Sequence, residues 1–149
     1  METEIYILPA APEHVQAVYG LMCELEETEL DKQGFASIFG ENLNNRDVHY
    51  FVASREGQVA GFSSLHVQRL LHHSAPVGEI QEIIVHTACR GQGIGQALFD
   101  RMKEAALNAG CVQLEVCCRK ERKRSRGFYQ KMGMNLSHDK LCLKLMEEA

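Results

Sequence analysis

A glycine-rich run separates a strand-like segment from a helix-like segment, and it limits the folds that this chain can adopt. The run is Arg90-Gly91-Gln92-Gly93-Ile94-Gly95. It follows the β-rich residues 79–85 and precedes apolar residues at helical spacing, which end at Gly110. Glycines let a backbone approach a ligand closely, and the free N–H groups at a helix start suit a pyrophosphate. The run therefore predicts anion capture within an α/β fold, with a simple tight connection as the alternative.

Two common nucleotide-binding motifs are excluded by the spacing around Gly95. A P-loop ends in Gly-Lys-Ser/Thr, whereas Gly95 is followed by Gln96 and Ala97. A Rossmann motif needs a glycine or alanine three residues after its second glycine, and the positions so defined hold Gln96 or Leu98. The turn therefore belongs to another class of anion site.

The remaining segments predict helices and strands that alternate along the chain. A strand at 4–8 is followed by a proline-initiated helix over 12–25 and a second helix around 35–43. Strands at 49–54 and 59–67 are joined by a short link with a glycine, which predicts an antiparallel hairpin. We expect a loop at 70–76, a strand at 111–118, a short helix ending near Gly133 and a closing strand at 136–146. The pattern predicts a mixed central sheet flanked by helices, in one domain that covers residues 1–149.

The composition limits the partners and the compartment. With 149 residues, of which 45% are hydrophobic, the chain can bury the core of one domain. A net charge of -4 argues against nucleic acid and anionic membranes as partners, because both require a broad positive field. No apolar run resembles a secretory signal or a membrane span, so we expect a cytoplasmic protein. The six cysteines form no C-x-x-C pair, and we expect most of them to be reduced and buried.

The glycine run and a second motif resemble the GNAT superfamily of N-acetyltransferases. The acetyl-CoA signature of that family, Arg/Gln-x-x-Gly-x-Gly/Ala, is matched by Arg90, Gly93 and Gly95. The segment 128–134 is similar to the aromatic pair and downstream glycine of the family's last helix. The resemblance implies an acetyl-CoA-dependent enzyme in which the strands at 79–85 and 111–118 splay apart around the pantetheine arm.

The same resemblance assigns residues to acetyl-CoA. The diphosphate would lie on the glycine turn, and backbone N–H groups near Ile83 to Val85 would stabilise the oxyanion. The basic run 119–126 would lie near the CoA phosphates, with an ordinary solvated face or helix start as the alternative. The cofactor-binding candidates are Ile83, Ile84, Val85, Arg90, Gly91, Gln92, Gly93, Ile94, Gly95, Gln96 and Arg126. Many family members have an asparagine after the fifth strand, but Cys117-Cys118-Arg119 stands here, so we assign no such contact.

Transfer of an acetyl group to an amine requires a base, because only the neutral amine attacks the thioester. Glu79 and Glu82 lie in the strand that would flank the thioester, and each is a candidate for this base, with a solvated or salt-bridged glutamate as the alternative for each. In a regular strand their side chains would face opposite sides, unless a bulge turns one of them. The resemblance makes Tyr129 the acid that protonates the departing CoA thiolate, with packing in the core as the alternative role.

A narrower resemblance, to the aminoalkylphosphonate N-acetyltransferases of bacterial phosphonate metabolism, indicates a small-molecule primary amine as acceptor. It rests on Cys23-Glu24-Leu25, His49-Tyr50, Leu65-His66-Val67-Gln68, Leu71-His72-His73, the segment 78–82 and Ser137-His138. If the third strand continues, His66, Gln68 and His72 share one face and could line the acceptor pocket. Members of that group are described as stimulated by a divalent metal, which His or Glu residues here could bind; ordinary hydrogen-bonded histidines are the alternative.

Other acceptors and other roles stay open. The stretch between Arg122 and Arg126 is more basic than in the phosphonate enzymes, and aminoglycosides, polyamines, amino acids and protein N-termini remain as acceptors. The chain could also be a protein or peptide N-acetyltransferase, or a noncatalytic acyl-CoA-binding regulator. Because members of the superfamily are often dimers, the resemblance is also compatible with a homodimer.

Overall fold

Five strands form a single sheet in the order β1-β2-β3-β4-β5 in the computed structural model, which describes residues 4–147. Neighbouring strands are antiparallel except β4 and β5, which run parallel. In chain order the elements are β1 (Ile5–Pro9), α1 (Val15–Glu26), α2 (Lys32–Leu43), β2 (Val48–Arg55), β3 (Gln58–Leu70), β4 (Ala75–Val85), α3 (Ile94–Asn108), β5 (Leu114–Val116) and α4 (Lys123–Lys131). The predicted mixed sheet flanked by helices is confirmed.

The sheet separates two hydrophobic cores. On one face, α1 and α2 cover a cluster that includes Val18, Phe39 and Phe62. On the other face, α3 and α4 cover a larger cluster that includes Leu65 and Ile80. Because successive strand residues point to opposite faces, β3 supplies Phe62 to the first core and Leu65 to the second. We call these two sides the α1/α2 face and the α3 face.

The two hairpins differ in how well the sequence predicts them. The β2–β3 hairpin is confirmed, and its turn places Glu56 and Gly57 in the left-handed region with φ of 53° and 76°. The loop expected at 70–76 is wrong in extent, because β3 continues to Leu70, a 3-10 turn spans Leu71–His73 and β4 begins at Ala75. Polar residues continue the strand there because that end of β3 is exposed to solvent.

The predicted closing strand at 136–146 does not form. Every residue from Asn135 to Glu147 is exposed, and no strand or helix is assigned in this segment. β5 is also shorter than the predicted 111–118, with only Leu114–Val116 in the ladder. A strand requires a partner for its backbone N–H and C=O groups, and within residues 4–147 the outer edge of β5 has none.

The cysteines are less buried than the composition predicts. All six cysteines are free, but Cys117 and Cys142 are exposed and the other four are only half-buried, so the expected burial is wrong. None of the helices among the described residues is long and apolar enough to cross a membrane.

Candidate active site

A gap opens in the sheet between β4 and β5. The two strands pair only through Gly78, Glu79 and Ile80 on β4, opposite Leu114, Glu115 and Val116 on β5. Beyond this point β4 continues to Val85, whereas β5 has already ended. In the described part of the chain, the β5-facing backbone edge of residues 81–85 therefore has no strand partner. The splayed parallel strands implied by the resemblance are confirmed, and the N–H groups predicted at Ile83 to Val85 belong to this stretch of β4.

The glycine turn lies between the end of β4 and the start of α3. Gly91 and Gly93 have φ of 79° and 80°, a left-handed conformation that residues with a Cβ rarely adopt. A Cβ added at either glycine would meet no atom within 4 Å, so both border open space. No side chain caps α3, which leaves the first-turn N–H groups at Ile94, Gly95 and Gln96 free for a ligand. The turn is therefore shaped and polarised for an anion, and a CoA diphosphate fits this donor set.

The C-terminal end of α1 contacts both sides of the gap. Glu24 accepts a hydrogen bond from Thr87 and lies 3.8 Å from the Arg90 guanidinium, and Glu26 forms an ion pair with Arg119. The Leu25 carbonyl accepts a hydrogen bond of 2.7 Å from Arg122. The predicted basic run is thus partly engaged by α1.

Arg90 and Arg126, both predicted to bind the cofactor, have different surroundings. Arg90 is exposed, and its Nε donates to the Val85 carbonyl at 3.4 Å, which holds it beside the turn. Arg126 is half-buried, and its Nη2 donates to the Lys120 carbonyl at 3.4 Å. The buried Nε of Arg126 has no hydrogen-bond partner among the residues that the structure describes. Both therefore keep donor capacity for a phosphate.

A β-bulge brings the two predicted bases to the same face of the sheet. Glu82 lies opposite Ser64 on β3, and Glu79 lies opposite His66, so Gln81 is the extra residue on β4. Because Ser64 and His66 are two residues apart, they and their partners face the same side. This is the α1/α2 face, since Phe62 and Ile84 point there as well. Of the two arrangements expected for Glu79 and Glu82, the structure has the one in which a bulge turns both side chains to the same face.

The Ser64 hydroxyl fixes the position of Glu82. Ser64 is fully buried, and its hydroxyl donates to the Glu82 carboxylate while accepting the Glu82 backbone N–H at 3.0 Å. Glu79 is held differently, since its carboxylate accepts a hydrogen bond from the Gln81 side chain. Of the two glutamates, Glu82 therefore has the more constrained side chain, because its partner is buried and bonded to it twice.

Tyr50 lies next to Ser64 in the same row of the sheet. Its hydroxyl accepts a hydrogen bond of 2.6 Å from Asn42 at the end of α2. Burial raises the pKa of Tyr50, the hydrogen bond from Asn42 lowers it, and the negative charge of Glu82 raises it. Five polar residues therefore form one row on the α1/α2 face, and we call this row the acceptor face. They are Tyr50, Ser64, His66, Glu79 and Glu82.

Two of the three predicted substrate-binding residues lie on this face of the sheet. The third lies in the turn that follows β3. His66 and Gln68 alternate along β3 on the acceptor side, with His66 half-buried and Gln68 exposed. Since β3 ends at Leu70, His72 lies in the 3-10 turn, where it is exposed and packs against His73 with ring centroids 4.5 Å apart. The premise that the strand carries His72 to this face is therefore wrong.

Tyr129 lies on the opposite side of the sheet from Glu82. Its ring packs in the α3-face core against Phe99 and Phe128, with centroid distances of 6.4 and 5.2 Å. Burial raises the pKa of Tyr129, and the nearby Cys118 adds to the shift. Its hydroxyl therefore stays protonated well above neutral pH.

A divalent metal finds no site in the described part of the chain. Within residues 4–147 no group of three or more His, Cys, Asp or Glu side chains is arranged to hold a metal ion. Glu82 accepts a hydrogen bond from Ser64 and Glu79 accepts one from Gln81, so each carboxylate already has a donor as its partner. The residues therefore do not fit the metal that the narrower resemblance implied.

Three residues on or beside the acceptor face were given no site role from the sequence, although Tyr50 lies in the segment His49-Tyr50 that carries the narrower resemblance. Ser64, Tyr50 and Asn42 lie in elements that were predicted, but their meeting depends on pairing between β2, β3 and β4. A polar serine inside the apolar run 59–67 was the one available signal for Ser64, because buried polar side chains need a partner.

Comparison with known proteins gives both a family and individual relatives. A profile of the acetyltransferase (GNAT) family matches residues 15–134. An aminoalkylphosphonate N-acetyltransferase of Salmonella typhimurium is 42% identical over 129 residues, which is 87% of this chain and 84% of that protein. A probable glucosamine 6-phosphate N-acetyltransferase of Oryza sativa is 28% identical over 83% of this chain and 76% of that protein.

Solved structures share the fold at low sequence identity. An aminoglycoside N-acetyltransferase in complex with CoA superimposes with a TM-score of 0.88 at 18% identity, covering 97% of this chain and 96% of that one. A transcriptional regulator from Bacillus halodurans superimposes with a TM-score of 0.87 at 21% identity, covering 95% of this chain and all of that one. At these identities the comparison concerns the fold alone.

Proposed function

Because the chain belongs to the acetyltransferase (GNAT) family, we propose that it transfers the acetyl group of acetyl-CoA directly to the primary amine of a small molecule. The proposal rests on the gap between β4 and β5, whose unpaired backbone edge at residues 81–85 leads to the glycine turn. An extended pantetheine arm can bond such an edge as an added strand would, while the first-turn amides of α3 bind the diphosphate.

Glu82 is the base in this proposal. The amine must lose a proton before its nitrogen bonds to the thioester carbonyl carbon. Glu82 lies in β4 where that strand borders the gap, and Ser64 holds its carboxylate in one orientation. Glu79, two register pairs away and opposite His66, contributes negative charge that attracts the cationic amine.

Tyr129 is the acid in this proposal. When the C–S bond of the tetrahedral intermediate breaks, the CoA sulfur leaves with the electron pair and needs a proton. The raised pKa of Tyr129 keeps its phenol protonated and available as a donor. The base and the acid lie on opposite faces of the sheet, so the amine would approach from the acceptor face and the thiol would leave toward the α3 face. Backbone N–H groups near Ile83 to Val85 would stabilise the oxyanion.

The acceptor is an amine that also carries a phosphorus oxyanion, and an aminoalkylphosphonate is our first candidate. The support is the 42% identity to the Salmonella aminoalkylphosphonate enzyme together with weaker similarity to several glucosamine 6-phosphate N-acetyltransferases. By their names, both groups act on compounds that combine an amine with phosphonate or phosphate. His66 and Gln68 are the residues of this chain that we assign to acceptor binding.

Release of CoA thiol from acetyl-CoA tests the proposal. The acceptor panel contains aminoalkylphosphonates, glucosamine 6-phosphate, polyamines, aminoglycosides and peptides, each with and without a divalent metal. We expect turnover with aminoalkylphosphonates and no requirement for metal. Acetyl-CoA that stabilises the protein without any thiol release would identify a noncatalytic acyl-CoA-binding protein, and a preference for peptides would identify a protein N-acetyltransferase.

Three expectations from the sequence remain predictions. One domain over residues 1–149 agrees with the family match over 15–134, which covers most of the chain. The absence of nucleic acid and membrane partners rests on the net charge of -4. A cytoplasmic location remains to be tested by fractionation of cells.

A further inference from the structure

A cavity of about 490 Å³ lies at the edge of the sheet where β1 ends. β1 ends at Pro9, opposite Phe51, and one further backbone bond joins Ala10 to the Tyr50 carbonyl. The cavity lies beside this start of β2, between the end of α2 and the last turns of α3. No residue of the glycine turn or of the unpaired edge at 81–85 lines it, and of the acceptor face only Tyr50 does. The cavity is therefore separate from the gap between β4 and β5.

Two arginines and a histidine line this cavity from three different elements. Arg46 belongs to the connection between α2 and β2, His49 to β2 and Arg101 to α3. The whole chain has a net charge of -4, yet the described residues that line the cavity include no aspartate or glutamate. A concave surface that concentrates one sign of charge attracts ligands of the opposite sign. The lining therefore favours an anion.

The side chain of Arg101 is held in place by aromatic packing. Its guanidinium carbon lies 4.5 Å from the centroid of the Phe51 ring, and the ring of His49 stacks on that of Phe51. A guanidinium that lies over an aromatic ring keeps its N–H groups, which lie in its own plane, available for hydrogen bonds. Arg101 is thus oriented before any ligand arrives, and its donors remain free for oxygen acceptors.

The negative groups near the cavity are engaged or directed to solvent. Asp47 pairs with Arg69 at 3.1 Å, and neither residue lines the cavity. Glu104 lies 4.0 Å from Arg101, but its side chain is 65% exposed, so solvent screens this pair. The carbonyls of residues 105–107, in the last turn of α3, accept hydrogen bonds from the N–H groups that follow the helix. Little negative charge is therefore directed into the cavity.

The arrangement of the donors indicates the class of anion. Arg46, His49 and Arg101 approach from a connection, a strand and a helix, and a tetrahedral phosphorus oxyanion presents oxygens in several directions, whereas a carboxylate has only two. The volume falls within the range of small-molecule sites, about 300–1,000 Å³, and Leu43 and Val48 add apolar walls. We propose that this cavity binds a small organic phosphate or phosphonate through Arg46, His49 and Arg101, at a site distinct from the one that binds the acceptor amine.

Titration with phenyl phosphate, followed by NMR of the His49 ring, tests the proposal. The pH is kept slightly above neutral, where His49 is uncharged because burial and Arg101 both lower its pKa. We expect a saturable shift of the His49 signals, which report on this cavity even if the anion also binds to the glycine turn. Inorganic phosphate and phenylacetate are the two comparison ligands, and each is expected to bind about tenfold more weakly or less. Equal affinity for inorganic phosphate would overturn the organic body of the ligand, and equal affinity for phenylacetate would overturn the phosphorus oxyanion.

Charge-removing variants provide the second measurement. Arg46→Met and Arg101→Met should each raise the dissociation constant for phenyl phosphate by about tenfold or more. Lys103→Met is the matched control, because it removes the same charge from an exposed position of α3 that does not line the cavity, and it should change the constant by less than about twofold. Circular dichroism checks that each variant is folded, and Arg46 is exposed, so its removal should leave the fold intact.

Three results would overturn the proposed site. They are a His49 signal that does not respond to phenyl phosphate, an affinity that Arg46→Met leaves unchanged, and an equal loss of affinity in Lys103→Met. Because the titration contains no acetyl-CoA and measures no thiol release, its failure would leave the proposed acetyl transfer unaffected.

Discussion

Ser64 and Glu82 face each other across β3 and β4, and the buried Ser64 hydroxyl bonds both the carboxylate and the backbone N–H of Glu82. This pairing depends on the extra residue at Gln81, which turns Glu82 to the acceptor face. A carboxylate held in this way needs no reorientation when an amine arrives, and such preorganisation is what a general base requires.

Removal of the Ser64 hydroxyl should reduce activity without unfolding the protein. In Ser64→Ala, Glu82 loses a charge-assisted hydrogen bond, and we expect kcat/KM to fall by roughly tenfold to a hundredfold. Ser63→Ala is the matched control, because Ser63 is equally buried but its hydroxyl has no partner in the described residues. Thiol-release kinetics should show near wild-type activity for Ser63→Ala, and equal losses in both variants would contradict a positioning role.

The two glutamates should respond differently to loss of charge. Glu82→Gln removes the proposed base and should lower kcat by about a hundredfold or more. Glu79→Gln removes only attraction for the amine, so we expect mainly a higher KM for the acceptor. Full pH profiles of kcat and kcat/KM for both variants make this comparison, and the reverse pattern would transfer the role of base to Glu79.

Loss of the Tyr129 hydroxyl should slow thiol release. Because burial raises the pKa of Tyr129, the phenol stays protonated across the working pH range. We expect Tyr129→Phe to reduce kcat by about a hundredfold while the affinity for acetyl-CoA changes little. Calorimetry with CoA and kinetics from neutral to alkaline pH provide the two measurements. If turnover is unchanged at every pH, Tyr129 is only a packing residue.

A side chain at Gly93 should weaken CoA binding through the backbone. With φ of 80°, Gly93 occupies the left-handed region, and Gly93→Ala should cost about 1–2 kcal/mol of folding free energy if that conformation persists. The same change should reduce the affinity for CoA, measured by calorimetry. Gly20→Ala is the control, because Gly20 lies within α1 with open space around it. It should stabilise the fold by about 0.5–1 kcal/mol without an effect on CoA.

His49 gives a prediction for stability against pH. Burial lowers its pKa below 6.5, Arg101 lowers it further, and Asp47 opposes the shift. A base with a depressed folded pKa stabilises the fold above its unfolded pKa, and this contribution is lost as the pH falls toward the folded value. Arg101→Met should therefore raise the pKa of His49 and reduce the stability lost on acidification. NMR titration of the His49 ring and urea unfolding above and below pH 6.5 measure both effects.

The sequence predicted most elements of the fold because their signals are local. The turn glycines, the helical spacing after Gly93 and the glycine-bearing hairpin at 55–58 each act within a few residues. The position of Glu82 was not local, since it depends on a bulge that only the pairing of β3 with β4 reveals. The partner of Ser64 was hidden for the same reason.

The predicted closing strand at 136–146 is wrong because a strand depends on contacts that are distant in the sequence. The alternation at 141–145 has the period of a strand, but a pattern cannot supply the neighbouring backbone that makes a strand form. The prediction that His72 shares a face with His66 and Gln68 was wrong for a related reason, because the turn after Leu70 ends the alternation of β3. In both cases the missing information was the extent of pairing between strands.

The end of α1 contacts two segments that lie on opposite sides of the gap between β4 and β5. Glu24 binds the segment before the glycine turn, whereas Glu26 and the Leu25 carbonyl bind the basic segment that follows β5. These three consecutive residues thus link the two sides of the gap between β4 and β5. A ligand that draws Arg90 or Arg119 away removes one ion pair from this end of α1, whereas the hydrogen bonds from Thr87 and Arg122 still hold the helix in place.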